Sequence, residues 1–227
     1  YGIQGQKEAD FVQDIEKLMS LPIKHFSAYS LTMEENSTLS KKITEKELIE
    51  IEDSSTLMWH ILPNIIKGKG FKRYEVSNYS LHNYECSHNL AIWFGSKYIG
   101  FGPTASSFDG INRWTNGSIY EWLANKGTIY DFIENEKRIT EIFIFGLRTA
   151  FSWSIMLKND NGSSVLSSIY GGNSYHLTTA HTNNLISKCL NLKEMGLLKI
   201  KENKNAIYVS STKKGLSFWN DIALALI

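Results

Sequence analysis

The segment from Arg73 to Ser107 constrains the fold of this chain more than any other. It reads RYEVSNYSLHNYECSHNLAIWFGSKYIGFGPTASS, with polar side chains and aromatic rings interleaved and with little helical periodicity. Such a segment, containing Gly-x-Gly near its end, is typical of a concave site where the backbone approaches a flat or phosphorylated ligand. The alternative is a strand, a long surface loop and a second strand, with glycines that serve only as bends.

Helical and strand patterns alternate before this segment, which predicts a mixed α/β fold. Apolar residues at helical spacing predict a helix over residues 7–19. A longer helix is expected to begin at Thr44, because Thr44 and Glu47 have the spacing of a capping box. The segments 25–33 and 71–76 are rich in β-forming residues and are predicted to be strands.

The second half of the chain predicts two further helices, over residues 119–127 and 136–149. Gly, Asn and Ser cluster between residues 158 and 174, which favours a flexible insertion that contributes nothing to the core. A compact unit follows, with a helix that we expect Thr182 to cap, then a hairpin, then a last helix that begins at Thr212. A helix followed by a β-hairpin is typical of a winged-helix domain.

Composition and charge narrow the classes of partner. The formal net charge is +1, which provides no long-range attraction toward nucleic acid or an anionic membrane. The basic hairpin tip at 199–204 is expected to be a solvated turn. No apolar run approaches the ~18 residues of a membrane span. The two cysteines, far apart, fit a reducing cytosol. We therefore expect a cytoplasmic protein without nucleic-acid binding or an integral membrane segment.

His88 is the strongest candidate for a metal ligand. Imidazole is a common ligand of heme iron, and His88 is predicted to lie in a loop near Tyr84, Trp93 and Phe94, whose rings suit the apolar face of a porphyrin. The alternative is structural: His88 and Asn89 would then fix the loop through hydrogen bonds to the backbone.

Three motifs in the same region carry a family resemblance. They are YEVSNY at 74–79, ECSHNL at 85–90 followed by Trp93, and YIGFGP at 98–103. Together they resemble the heme chaperones of the radical S-adenosylmethionine superfamily, which are relatives of the oxygen-independent coproporphyrinogen III oxidase. The likeness extends to the segments 1–6, 26–34 and 138–148.

The resemblance implies the C-terminal part of a longer protein. The family's cluster motif, Cys-x3-Cys-x2-Cys, precedes the turn that residues 1–6 resemble, and this chain has only Cys86 and Cys189. A [4Fe–4S] cluster of this type needs three thiolates that converge in one loop, so the chain does not supply its ligands. The implied fold has three parts. Residues 1–117 form the last strands and helices of a partial TIM-like barrel together with its site loop. Residues 118–175 form linking helices and the flexible insertion, and residues 176–227 form a small winged-helix-like domain.

The resemblance also assigns site residues. It implies that His88, Asn89 and Trp93 bind heme, with His88 as the metal ligand; Ile92 stands where the family's His-Asn-x-x-Tyr-Trp motif has Tyr. It implies S-adenosylmethionine contacts from Thr32, Glu75, Asn78, Gly100, Gly102 and Ser106. Thr104 and Ser106 depart from the family pattern, which has Gly and His there. Glu75 and Asn78 have an equal alternative, in which they bond each other.

The implied function of the whole protein is to bind heme and deliver it to respiratory or other acceptor proteins, with S-adenosylmethionine and a [4Fe–4S] cluster as cofactors. A homodimer is compatible with it, and the chain alone is not expected to be an active enzyme. Two alternatives remain. One is the coproporphyrinogen III oxidase, where a cofactor-derived radical drives decarboxylation of propionate side chains. The other is a binding module that uses only the winged-helix-like tail.

Overall fold

The alternating helical and strand patterns of the sequence produce helices and three small antiparallel sheets in the computed structural model. The structure describes residues 1–157, 163–168, 170 and 173–227. The chain divides into two compact units, Tyr1–Glu85 and Cys86–Ile227. The expected mixed α/β class is confirmed, while the partial barrel, the winged-helix-like tail and the three-part division at residues 117 and 175 stay predictions.

The first unit contains two helices and a three-stranded sheet. In chain order its elements are α1 (Glu8–Met19), β1 (His25–Ser27), α2 (Glu45–Ile65), β2 (Lys72–Arg73) and β3 (Asn78–Ser80), and the strand order is β1-β3-β2. The Thr44 side chain accepts a hydrogen bond from the backbone N–H of Glu47, whose carboxylate accepts one in return from the N–H of Thr44. The predicted capping box is therefore confirmed.

Both helices of the first unit pack an apolar face on the sheet. Phe11 of α1 and Leu62 of α2 are buried in one cluster with Phe26 of β1 and Tyr79 of β3. The rings of Phe26 and Tyr79 stack with their centroids 4.9 Å apart. This cluster fixes the sheet that carries the candidate polar residues of the first unit.

Two strands are shorter than the sequence predicts. The prediction of a strand through residue 76 is wrong, because a turn between β2 and β3 interrupts it. The Glu75 carboxylate accepts a hydrogen bond from the backbone N–H of Ser77, and the N–H of Tyr74 donates to the carbonyl of Asn78, which together close a hairpin. The strand predicted over 25–33 ends at Ser27, since the N–H of Leu31 donates to the carbonyl of Tyr1 outside the sheet.

The second unit contains two sheets and the remaining helices of the described residues. Its first elements are α3 (Ser87–Trp93), β4 (Ser106–Phe108), β5 (Arg113–Thr115), α4 (Ile119–Leu123), β6 (Ile129–Asp131) and α5 (Asn135–Gly146). They are followed by β7 (Trp153–Leu157), β8 (Ser164–Ser168), β9 (Ser174–Leu177), α6 (Thr179–Glu194), β10 (Leu198–Glu202), β11 (Ala206–Ser211), α7 (Lys213–Ser217) and α8 (Trp219–Leu226). The strand orders are β4-β5-β6 and β10-β11-β7-β8-β9.

Two sequence predictions about the helices of this unit are wrong. His88 lies on helix α3 and not in a loop, because Leu90 and Phe94, four residues apart, bury one apolar face. Thr178, one turn before Thr182, caps α6 by accepting a hydrogen bond from the N–H of His181.

The expected insertion contributes to the core. Strand β8 pairs with β7 on one side and β9 on the other, and its Leu166 is fully buried. Buried and partly buried side chains alternate along β8, but its serines do not give the sequence an alternation of apolar and polar residues. The other part of that prediction, over residues 158–162, 169 and 171–172, lies outside the described residues.

The C-terminal elements follow the sequence prediction closely. Strands β10 and β11 form an antiparallel hairpin, and Thr212 caps α7 by accepting a hydrogen bond from the N–H of Gly215 at 2.8 Å. Lys199, Lys201 and Lys204 of the hairpin are exposed. In the described part of the chain, no helix combines the length and the apolar character that crossing a membrane requires.

The two cysteines should differ strongly in reactivity. Cys189 is buried in α6, and burial raises the pKa of its thiol to about 12. Because the thiolate is the reactive form, we expect maleimide at pH 8 to label the half-buried Cys86 of the native chain and to leave Cys189 unmodified until urea unfolds it. Peptide mass spectrometry after timed labelling checks this. Equal labelling rates in the native chain would contradict the burial of Cys189.

Candidate functional site

The predicted site residues fall in both units. Thr32, Glu75 and Asn78 belong to the first unit, whereas the predicted heme ligands and the glycine-containing segment belong to the second. Each group is therefore described within its own unit.

In the first unit, Glu75 and Asn78 form a buried polar pair. Both are almost completely inaccessible to solvent, and the Asn78 side-chain amide donates to the Glu75 carboxylate at 2.6 Å. The Asn78 side-chain oxygen accepts a further hydrogen bond from the hydroxyl of Ser27. Thr32 is exposed. The structure thus shows the contact between Glu75 and Asn78 that the sequence left as an alternative, and their binding of S-adenosylmethionine stays a prediction.

Sequence reasoning missed the charged and aromatic groups beside this pair. The Arg73 guanidinium lies 4.4 Å from the centroid of the Trp59 ring. Burial lowers the pKa of Arg73, while Tyr79 and Glu75 act in the opposite direction. Burial, followed by the nearby Tyr79, raises the pKa of Tyr1 to about 12. The Arg73 guanidinium and the Tyr79 hydroxyl thus lie within electrostatic range of the buried Glu75 carboxylate.

In the second unit, the predicted heme ligands lie on helix α3. His88 is exposed on the first turn, whereas Asn89 and Trp93 are partly buried. Residues four apart share a helix face, so His88 is on the face of Ile92, and Asn89 is on the face of Trp93. The helix thus presents the His88 imidazole to solvent and directs Trp93 toward the interior of the unit.

The Trp93 ring is fixed by aromatic and cationic neighbours. It stacks on Phe145 of α5 with the ring centroids 6.0 Å apart, and the Arg148 guanidinium lies 4.0 Å from its centroid. Phe145 also stacks on Trp219 of α8. Among the described residues, the buried indole N–H of Trp93 has no hydrogen-bond partner.

A cavity of about 260 Å³ lies beside this helix. Six apolar and aromatic side chains line it: Ile92, Trp93, Tyr98, Phe108, Ile142 and Phe145. Gly95, Ser106 and Arg113 complete the lining. The cavity therefore brings together Trp93 and Ser106, two residues that the sequence assigned to different ligands, with residues that the sequence did not assign.

Two of the arginines near the cavity, Arg113 and Arg138, are paired with carboxylates. Arg113 donates two hydrogen bonds to the Glu141 carboxylate, at 3.0 and 2.9 Å, and lies 3.6 Å from the Asp131 carboxylate. The buried Arg138 binds the same two carboxylates. Burial alone would lower the pKa of Arg113, but its hydrogen bonds to Glu141 and the Glu141 charge raise it. Two guanidinium groups thus face two carboxylates, and the Arg113 charge is already matched.

Local structure explains why glycine occupies the two positions that the sequence predicted to contact S-adenosylmethionine, Gly100 and Gly102. A Cβ at Gly100 would lie 2.3 Å from the backbone oxygen of Ser106, so a larger residue does not fit there. Gly102 has a φ of +97°, which disfavours other residues, although the space around it is open. The Ser106 hydroxyl is hydrogen-bonded to that of Thr115 at 2.9 Å. Contacts of these residues with S-adenosylmethionine stay predictions.

The residues present do not fit a [4Fe–4S] cluster. The chain has two cysteines, of which Cys189 is buried. Among the described residues, no group of three or more His, Cys, Asp or Glu side chains is arranged to hold a metal ion. No step of a mechanism is therefore assigned to a cluster held by this chain.

Comparison with known proteins connects the site to a family. No family model matches the chain. The heme chaperone HemW of Mycobacterium tuberculosis (strain H37Rv) is 32% identical over 117 residues, which cover 51% of this chain and 30% of the relative. HemW of Buchnera aphidicola subsp. Acyrthosiphon pisum is 34% identical over 137 residues, which cover 60% of this chain and 34% of the relative. This chain is similar in sequence to heme chaperones.

The predicted resemblance to the radical S-adenosylmethionine heme chaperones is thereby confirmed. The chain spans about a third of the length of the curated relatives it matches. In structure, it is similar to the coproporphyrinogen III oxidase HemN from Escherichia coli, a radical SAM enzyme, with a TM-score of 0.69 and 11% identity. That match covers 100% of this chain and 53% of the oxidase chain. At this identity the likeness establishes the fold alone.

Proposed function

We propose that this chain is the heme-binding, C-terminal part of a radical S-adenosylmethionine heme chaperone, with His88 as the axial iron ligand. The observation that carries the proposal is the position of His88: an exposed imidazole on α3, one helical turn from Ile92, which lines an apolar cavity. Imidazole nitrogen is a standard ligand of heme iron, and the face of a porphyrin prefers apolar and aromatic neighbours. The similarity to curated heme chaperones supports the proposed heme binding, while His88 as the ligand is proposed from its position.

The proposal assigns different tasks to the residues of α3. His88 supplies the iron–nitrogen bond, and its exposure allows it to take heme from solvent and to release heme to an acceptor. Asn89 donates or accepts hydrogen bonds at the edge of the bound heme. Trp93, stacked on Phe145, supplies a rigid aromatic wall. Because heme is cargo in this proposal, the affinity of the chain for heme must be moderate enough for an acceptor protein to take the heme.

For the whole protein, we propose delivery of heme to respiratory or other acceptor proteins, with S-adenosylmethionine and a [4Fe–4S] cluster as cofactors. The cluster ligands would come from outside this chain, which has two cysteines. The first unit would form the last strands of the barrel, with the S-adenosylmethionine contacts predicted above, and residues 176–227 the winged-helix-like domain. The α6 helix followed by the β10–β11 hairpin supports the last assignment.

The coproporphyrinogen III oxidase alternative has less support. It rests on the structural likeness to HemN, which establishes the fold alone. The sequence matches favour the chaperones. The His88-Asn89 pair and Trp93 resemble the chaperone motif given above, with Ile92 as the departure. We therefore retain the chaperone function as the proposal.

Titration of hemin into the 227-residue chain tests this proposal. We expect a saturable shift of the Soret band toward the position typical of imidazole-ligated ferric heme, with one hemin bound per chain. Titration of hemin into buffer alone gives the reference spectrum of free hemin. A spectrum that remains that of free hemin at all protein concentrations would contradict the proposed function.

A further inference from the structure

Helix α3, which carries His88, is too short to fix its own position. It has seven residues, and helices of that length are marginal in water unless tertiary contacts support them. The position of the His88 imidazole therefore depends on the contacts that hold the rest of the helix.

The C-terminus of α3 is closed at Gly95. The backbone N–H of Gly95 donates to the carbonyl of Ile92 at 3.0 Å. The N–H of Ser96 donates to the carbonyl of Ala91 at 2.9 Å. Together with a φ of +81° at Gly95, this pattern is a Schellman motif. It makes the end of the helix a defined structure that another element can hold.

The side chains of Asn173 and Tyr175, at the start of β9, bind the carbonyl of Gly95. The Asn173 amide donates to this oxygen at 2.7 Å, and the Tyr175 hydroxyl donates to it at 3.3 Å. A Cβ at Gly95 would lie 2.5 Å from the Tyr175 hydroxyl and 2.7 Å from the Ile142 side chain, so the contact leaves space for glycine alone. Burial raises the pKa of Tyr175, so its hydroxyl keeps its proton at neutral pH and remains a donor. We call these two hydrogen bonds the β9 anchor.

The apolar contacts of α3 constrain the helix in a different way. Leu90 and Phe94 are buried and fix which face of the helix is turned inward. Apolar burial is non-directional, so these contacts tolerate small tilts and shifts of the helix. A hydrogen bond constrains both distance and angle. The β9 anchor therefore adds a directional constraint at one end of α3, about two turns from His88 at the other end.

We propose that Asn173 and Tyr175 are positioning residues for heme binding, because they hold the Gly95 carbonyl and keep α3 in the orientation in which His88 reaches the iron. The inference rests on the proposed function, since it assumes that His88 is the ligand. Without the anchor, α3 occupies the competent orientation for a smaller fraction of the time, and the apparent affinity for heme falls by that fraction. The iron–nitrogen bond is unchanged once it forms, so bound hemin keeps its imidazole-type Soret band.

Hemin titrations of the full chain test the inference with two variants that conserve side-chain volume. Tyr175→Phe removes the hydroxyl, and Asn173→Asp replaces the donor amide with a carboxylate that repels the Gly95 carbonyl. We expect each variant to raise the dissociation constant for hemin about threefold to tenfold, as the loss of one hydrogen bond implies, with an unchanged spectrum at saturation. Tyr120→Phe and Asn184→Asp, at exposed positions of the same unit, are the matched controls and should bind hemin as the wild-type chain does.

The same two substitutions in a His88→Ala background separate positioning from a general effect on stability. Residual hemin binding is followed there by quenching of tryptophan fluorescence, and we expect no further change, because the anchor acts through His88. Equal weakening of hemin binding in that background would overturn this inference. Variants that lower the urea midpoint but keep the wild-type dissociation constant would also overturn it, and both results leave the proposed function standing. Absence of an imidazole-type Soret shift in the wild-type chain would overturn the proposed function and the inference with it. If circular dichroism shows that one variant does not fold, the other decides.

Discussion

Arg138→Met should lower the free energy of unfolding by about 3 kcal/mol, the lower end of the range for a broken buried ion pair. The Arg138 side chain is 2% exposed. Its guanidinium donates to the backbone oxygen of Ile111 at 2.9 Å, to the Glu141 carboxylate, and to both the backbone and side-chain oxygens of Asp131 at 3.1 Å. Methionine fills similar volume but leaves these acceptors without their donor. Because the Asp131 side chain is 44% exposed, water can solvate its carboxylate and offset part of the lost stability.

Urea denaturation of the two proteins measures this difference, with the slope of the transition compared as a check on two-state behaviour. Lys137→Met is the matched control: Lys137 is the neighbouring residue, its side chain is 70% exposed and it is paired only with Glu134 in the described structure. We expect that control to change stability by less than about 0.5 kcal/mol. An effect of Arg138→Met no larger than that of the control would show that the Arg138 ion pairs do not stabilise this unit.

The local elements of the fold were predictable from the sequence, because their signals are local. Helix α2 has its capping box at Thr44 and Glu47, and α7 has its capping hydroxyl at Thr212. The C-terminal hairpin has alternating burial between two polar turns. In each case a few neighbouring residues determine the conformation, so the element can be predicted without knowledge of the tertiary structure.

The missed elements depend on contacts that sequence patterns do not encode. Strand β8 is held by pairing with β7 and β9, and its serines concealed its buried face. The turn at Glu75 exists because a carboxylate folds back on the N–H of Ser77. Helix α3 is short, and its aromatic residues obscured the spacing of Leu90 and Phe94.

The same distinction applies to the site. His88, Asn89 and Trp93 were accessible to sequence reasoning as one motif on one segment. The cavity combines that segment with Phe108, Arg113, Ile142 and Phe145, which come from three other elements. The ion pairs beside the cavity did have a sequence signal. Arg138 precedes Glu141 by three residues, and this spacing places both side chains on one face of α5.

The central claim is that the chain binds heme through the imidazole of His88, and His88→Ala tests it most directly. Because the substitution removes the iron–nitrogen bond from an exposed position of α3, folding should be unaffected and the imidazole-type Soret band should be lost on hemin titration. His176→Ala, at another exposed histidine of the same unit, should retain the wild-type spectrum and affinity. If His88→Ala instead binds hemin with the wild-type spectrum and affinity, His88 is not the ligand, and the account of the site is wrong.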